Sequence, residues 1–373
     1  MLTIGIDIRI LTQPLTGIGY YTLQMCHALS KIDQLSIIAY SPAPIPEKHM
    51  KYLAGIDIKV MNFKNRFLRQ LWTVIFLPIQ ARQDNLDVFW GPAHAIPPFL
   101  PASVKSILTI HDLVWKFHGE TMRTTSRLLE SYRMPRAINS CHQIIADSYS
   151  TRNAVIQEFS FEQKRIHVIP LAPRLKTDSD LRKKIPENFN IKGEFSLFVG
   201  THEPRKNLRR LLEAYAALPT HMKVKVSLVI VGNSGWGSVK VEEWVSQLNL
   251  KDYVIILGYV EDGELAALYK QARFLVLPSL YEGFGLPIIE AMSFGTPVLT
   301  SNKSSMPEVA GDGAILVNPL SVDAITNGLT DLIGDDVLCN KLAKASLINA
   351  QKYSWEKSAS DLFQVFKNAI SEK

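Results

Sequence analysis

The sequence predicts an α/β protein of two doubly wound, Rossmann-like domains, and three observations carry that expectation. Short apolar runs alternate with helical stretches over residues 1–170. The same alternation restarts at Phe195. Between them, Pro170–Gly193 is rich in Pro, Lys and Asp and has no apolar periodicity, as a linker would. Strand–helix alternation builds a parallel sheet covered on both faces, and 373 residues suffice for about two domains of ordinary size.

In chain order, strands are expected at Leu2–Ile8, Leu35–Ala39, Val88–Trp90, Ser106–Ile110, Gln143–Ala146 and Ile166–Ile169, with helices at Gly19–Leu29, Phe67–Arg82, Arg123–Asn139 and Ser150–Phe159. The second series places strands at Phe195–Val199, Val226–Val231, Val254–Leu257, Phe274–Leu277, Pro297–Thr300 and Ala314–Val317, and the tail from Val322 reads as helical throughout. The expected division is a first domain over 1–172, a linker over 173–193 and a second domain over 194–354, with a C-terminal helix over about 355–373 packing back on the first. Ligands of such folds bind at the carboxyl ends of the strands.

Composition narrows the class. The chain is 47% apolar and 20% charged, which suits packed cores and argues against disorder. Cys26, Cys141 and Cys339 have no metal-like spacing, so a reducing compartment is expected. The first residues run directly into a strand-like segment, and the longest apolar run, Leu71–Ile79, is too short to span a bilayer, so a cytoplasmic location is expected. Charge is uneven: residues 1–173 hold 18 Lys and Arg against 12 Asp and Glu, while the remainder holds 23 of each. No basic–aromatic run or zinc-finger spacing supports nucleic acid as the partner of that basic half. An acidic membrane surface or a phosphate-bearing acceptor suits it at least as well.

The loops after strands carry the chemistry. Glu282 and Glu290 flank Gly-Phe-Gly-Leu-Pro-Ile-Ile where the strand Phe274–Leu277 gives way to a helix near Leu286, a place where backbone N–H groups converge on an anion. By spacing alone, an ordinary strand–loop–helix joint explains the pair equally well. Arg205-Lys206 follows the strand ending near Gly200 and can clamp a diphosphate through a planar fork and a point charge; alone, it reads as a solvated loop pair. Gly17-Ile18-Gly19 opens a helix but fails as a dinucleotide fingerprint, because Thr22 stands where a third glycine belongs. A plain glycine turn and a close backbone approach to phosphate both remain open there.

Gly200-Thr-His-Glu-Pro-Arg-Lys-Asn-Leu208, Gly258-Tyr-Val-Glu261, Pro278 through Ala291 and Ser305-Met-Pro-Glu-Val309 occur in that order, preceded by Thr109-Ile-His-Asp-Leu113 and Ile145-Ala-Asp-Ser-Tyr-Ser150. Together they resemble the retaining glycosyltransferases of family 4 over nearly the whole chain. The resemblance implies the GT-B fold, with two domains facing across a cleft. It implies that Arg205 and Lys206 neutralise the diphosphate of a nucleotide-sugar donor, doing the work of a metal, so neither metal nor cofactor is expected. Glu290 would take the ribose hydroxyls and Glu282 the donor sugar. The backbone at Phe284, Gly285 and Leu286 would meet sugar and phosphate, and Tyr259 and Val260 would read the base. Gly17 and Gly19 would close over the diphosphate, and His111 would support charge at the donor sugar, with Asp112 structural.

The implied reaction is retaining transfer of a hexose to a glycan hydroxyl, by front-face attack rather than through a covalent glycosyl-enzyme. Mannose from GDP-mannose is the favoured donor, and a lipid-linked bacterial polysaccharide precursor of O-antigen type the favoured acceptor. UDP-sugars, an epimerase of the same build and a non-catalytic glycan-binding protein are the alternatives. Phe67–Arg82, with Lys64 and Arg66 beside it, and Arg123, Arg127, Arg133 and Arg136 are candidate membrane-facing segments on the inner face of the cell membrane; a core helix flanked by solvated charges is the other reading of Phe67–Arg82.

Overall fold

A computed structural model of the chain describes residues 1–63, 65, 68, 71–175, 184–233, 235 and 240–371. It divides into two compact units: residues 1–113, 128–171 and 354–373 form one, and 114–127 with 172–353 form the other.

The first unit is built on a parallel sheet of β1 (Leu2–Asp7), β2 (Leu35–Ser41), β3 (Asp57–Val60), β4 (Val88–Gly91), β5 (Lys105–Ile110), β6 (Gln143–Ala146) and β7 (Ile166–Val168), in the spatial order β3-β2-β1-β4-β5-β6-β7. The second is built on β8 (Glu194–Val199), β9 (Val226–Val231), β10 (Val254–Gly258), β11 (Phe274–Leu277), β12 (Val298–Ser301) and β13 (Ala314–Val317), in the order β10-β9-β8-β11-β12-β13, again parallel. Both are the doubly wound α/β architecture that the sequence predicts. Central strands such as Phe274–Leu277 are buried on both faces, which is why they read as unbroken apolar runs rather than alternating ones. In each sheet the order reverses once, between β1 and β4 and between β8 and β11. Such switch points leave a crevice beyond the strand ends where ligands bind.

Three elements depart from expectation. β3 is not foreseen, because Asp-Ile-Lys-Val is short, half exposed and charged, as suits a protected sheet edge. The expected helix Phe67–Arg82 is a π-helical turn, Trp72–Phe76, running into an α-helix, Leu77–Gln83; Phe67 and Arg69, like Lys64 and Arg66, lie outside the described residues. Pro78 has no N–H for the Val74 carbonyl and its ring crowds that turn, and Leu77 N–H bonds back to Trp72, widening the turn. The tail is three helices, Val322–Gly334, Asp336–Ala350 and Trp355–Ser371. Asp335 separates the first two, leaving helical geometry and accepting the Leu338 N–H as an N-cap.

The last helix belongs to the first unit. It buries Ala359, Leu362, Phe363, Phe366 and Ala369, the three-and-four spacing of one helical face, and Ser358 Oγ donates to the Pro170 carbonyl at 2.7 Å. Trp72, Leu77 and Ala81 pack with Tyr40, Leu86, Phe89 and Val104 in a buried cluster of the same unit.

Candidate functional site

The switch point of the second sheet gathers the expected charged residues. β8 ends beside β11, with Ser196 opposite Phe274, so the loops that follow these strands emerge side by side. A short 3-10 turn, Pro204–Lys206, sits between β8 and the helix Leu208–Ala216 and aims both cations. Asn207, in the left-handed region at φ 62°, donates from its side-chain amide to the carbonyls of Pro278 at 3.0 Å and Pro319 at 2.7 Å. The Leu280 N–H bonds to the Arg205 carbonyl at 2.8 Å. The two loops are therefore stitched through backbone before any side-chain charge is counted.

On that frame Arg205, Lys206 and Glu282 converge. Arg205 Nη1 donates to Glu282 Oε2 at 2.7 Å and to the Tyr281 carbonyl at 2.8 Å, while Lys206 Nζ donates to Glu282 Oε1 at 2.6 Å. Ser279 Oγ donates to the same Oε1 at 2.7 Å, and the Glu282 N–H donates to Ser304 Oγ at 3.0 Å. Lys206 and Glu282 are only 7% and 6% exposed. Burial by itself raises a carboxyl, but the two cations and the hydrogen bonds from Lys206 and Ser279 overcome it and hold Glu282 at about 2. The Lys206 ammonium is lowered, by burial first and by its like-charged neighbour Arg205, against the pull of Glu282. Two cations share the Glu282 carboxylate in a desolvated place, with Glu203 Oε2 3.5 Å from Arg205 Nη2 beside them, and a guanidinium and an ammonium held side by side are chemistry suited to a polyanion.

The turn that follows is shaped for backbone contact. Gly285 stands at φ 102°, where a side chain is strained, and precedes the helix Leu286–Ser293 as its N-cap. Ser305 Oγ donates to the carbonyls of Glu282 and Phe284 at 3.0 and 2.9 Å, fixing the loop from β12. Phe284 is 5% exposed.

Glu290 lies in a neighbouring but separate network. Its Oε1 accepts from Arg174 Nε at 3.2 Å and its Oε2 from the Tyr269 hydroxyl at 3.0 Å. Burial raises its carboxyl above the usual range, and Arg174 and Tyr269 pull it part of the way back. Tyr259, with a largely exposed ring, and buried Val260 follow β10 and lead into the helix Asp262–Gln271.

Gly17, Gly19 and His111 lie in the first unit. Gly17 is the first residue of the helix Gly17–Leu29, and Gly19 is buried where an added Cβ would meet the Leu15 side chain at 2.9 Å. His111, one residue past β5, is buried. Its Nδ1 is 2.6 Å from Asp147 Oδ2, its Nε2 is 2.8 Å from the Pro92 carbonyl, and its own N–H donates to His94 Nε2. Tyr21 meets the ring edge-on at 4.7 Å. A carboxylate and a carbonyl cannot donate, so the two contacts call for a proton on each ring nitrogen, which favours the charged imidazolium. Burial works against that charge, but Asp147, the Pro92 carbonyl and Asp112 outweigh it and raise His111 above its ordinary value. Asp147→Asn is therefore expected to lower the pH at which His111 loses its second proton, since the raising partner goes while burial stays. Imidazole ¹⁵N shifts followed against pH would show this, and an unchanged titration would contradict it.

Sequence reasoning did not assign Asp147, Ser279, Arg174 or Tyr269. Asp147 was accessible to it: Ile110 pairs with Ala146 across β5 and β6, so the residues one beyond each strand stand side by side. Arg174 carried no such signal, because its segment has no periodicity.

The chain matches the family model described as Glycosyltransferase Family 4 over residues 15–172 and the model described as Glycosyl transferases group 1 over residues 180–348. It is 30% identical to the O-antigen chain mannosyltransferase B of Escherichia coli, over 95% of this chain and 96% of the relative. It is 25% identical to the O-antigen chain mannosyltransferase RfbU of Salmonella typhimurium, over 82% of this chain and 83% of the relative. The structure of sucrose-phosphate synthase from Thermosynechococcus elongatus matches it with a TM-score of 0.79 at 19% identity, covering 100% of both chains, a likeness of fold.

Proposed function

Since the chain belongs to the glycosyltransferases of family 4, with their GT-B fold, we propose that it is a retaining, metal-independent mannosyltransferase. It takes mannose from GDP-mannose and adds it to a hydroxyl of a lipid-linked glycan of O-antigen type. The observation that carries the chemical part is the convergence of Arg205 and Lys206 on Glu282 at the switch point of the second sheet. Arg205 and Lys206 receive the donor diphosphate and stabilise it as it leaves, which is where charge develops in the transition state. Glu282 then faces the sugar, the turn Phe284–Leu286 contributes backbone groups to sugar and phosphate, and Glu290 takes the ribose. Tyr259 and Val260 bound the base. Gly17 and Gly19 are proposed to approach the diphosphate and His111 to support charge at the donor sugar.

Mannose and the O-antigen acceptor are supported by the names of the two relatives. A thermal-shift screen of GDP- and UDP-sugars in the presence of EDTA tests donor and metal together. GDP-mannose is expected to raise the melting temperature most, because at equal concentration the ligand that binds the folded state more tightly stabilises it more. A larger shift with a UDP-sugar would overturn the donor, and loss of the shift with EDTA would overturn metal independence. Product formed without any acceptor would favour an epimerase.

We also propose peripheral contact with an anionic membrane. Leu128, Leu129 and Tyr132 are 64%, 45% and 59% exposed on the helix Thr124–Ser140, among exposed Arg133 and Arg136, and Arg123 and Arg127 stand at and before its first turns. Val74, Ile75 and Ile79 are exposed on Trp72–Gln83. Apolar groups among cations suit an interfacial surface, and no helix among the described residues is long and apolar enough to cross a membrane. Co-sedimentation with vesicles containing anionic lipid, and not with neutral ones, is expected; equal sedimentation with both would contradict the proposal.

A further inference from the structure

Glu290 is held by a residue outside every motif that points to it. Arg174 begins the segment leading away from β7 into the second unit, and it is 11% exposed at its side chain. Its Nε donates to Glu290 Oε1 at 3.2 Å, and its Nη1 pairs with Asp262. Asp262 is the first residue of the helix Asp262–Gln271, separated from the Tyr259–Val260 segment by its N-cap Glu261. Tyr269 lies two turns further along that helix and donates to the other Glu290 oxygen. One guanidinium thus ties the helix behind the base segment to the carboxylate assigned to ribose. Only a planar fork reaches two acids in this way; an ammonium is a single point of charge.

An ionised carboxylate has about four acceptor positions. Arg174 and Tyr269 take two of them, from fixed directions. Among the described residues nothing takes the other two, the number that a vicinal diol requires. We infer that Arg174 is a positioning residue for the nucleoside, clamping Glu290 against Asp262 so that its free lone pairs meet the 2′- and 3′-hydroxyls of the donor ribose. The inference rests on the ribose role of Glu290 proposed above. Asp262 completes the clamp and adds repulsion that Arg174 offsets, so without the guanidinium Glu290 loses both its orientation and its compensating charge.

The test is the ribose preference, measured by titration calorimetry on the full chain with GDP, UDP, their 2′-deoxy counterparts and inorganic pyrophosphate. The wild-type protein is expected to favour its cognate ribonucleotide over the deoxy form by about tenfold or more, since the lost bond is to a charged group. In Arg174→Ala that preference should fall to within about threefold, with pyrophosphate affinity unchanged because the Arg205–Lys206 pair is untouched. Arg174→Lys, which keeps the charge and loses the fork, should fall between them and guards against a misfolded alanine variant. Full ribose preference in both variants would overturn the inference. Equal loss of pyrophosphate and nucleotide affinity would also overturn it, since Arg174 would then support the whole site rather than the nucleoside. A wild-type protein indifferent to the 2′-hydroxyl would instead remove the ribose role of Glu290, and the inference with it.

Discussion

Replacing either cation of the clamp should cost about two to three orders of magnitude in kcat/KM, and kcat should fall with it. The reason is the timing of charge. A nucleoside diphosphate carries more charge as it leaves than while it is esterified to the sugar, so Arg205 and Lys206 interact most strongly in the transition state. Removing one preorganised, desolvated donor aimed at developing charge costs about 3–4 kcal/mol. Arg205→Lys tests the geometry separately: Arg205 reaches Glu282 through Nη1 and Glu203 through Nη2, and a lysine cannot reproduce that fork. Steady-state kinetics on Arg205→Ala and Lys206→Ala provide the check. A rise in KM alone, with kcat intact, would mean that the pair binds donor and transition state equally and is no leaving-group clamp.

Glu282 should dominate the acid sensitivity of the second unit. Its carboxyl is held at about 2 against an ordinary 4.5, so the folded state binds its proton less readily than the unfolded chain does. The stability this provides is fully present above the unfolded value and is lost as pH falls through about 5 to about 2. Its size is about 3 kcal/mol. Glu282→Ala should cost a similar amount at neutral pH, because it removes the carboxylate that Arg205 and Lys206 share. Melting temperatures from pH 7 to pH 3 should show a steep loss in the wild-type protein and a flatter, lower curve in Glu282→Ala. Parallel curves would mean that the acid is not the keystone of the cluster.

These two predictions also show where the sequence was informative. The strands of both sheets are legible because buried parallel strands are written as continuous apolar runs, and β3 escaped because an edge strand is charged on purpose. The loop residues were legible because Arg205-Lys206 and Glu282 follow strands that the winding of the sheet makes neighbours. Their mutual pairing was not legible. Glu282 read as a residue facing a sugar, and the structure shows its two oxygens engaged by Arg205, Lys206 and Ser279. His111 read as a lone histidine before Asp112, while its closest partner is Asp147, 36 residues away in sequence. Such partners are chosen by tertiary packing, which local patterns record only where strand register can be worked out.

The central claim, that Arg205, Lys206 and Glu290 form the diphosphate and ribose contacts of a nucleotide-sugar donor, is tested most directly by a crystal structure of the protein with GDP-mannose. The account predicts the diphosphate within hydrogen-bonding distance of Arg205 and Lys206, and the ribose hydroxyls on Glu290, with Arg174 still bridging Glu290 and Asp262. A nucleotide bound away from the β8–β11 switch point, or one with its diphosphate in solvent and Glu282 still engaged by both cations, would contradict it.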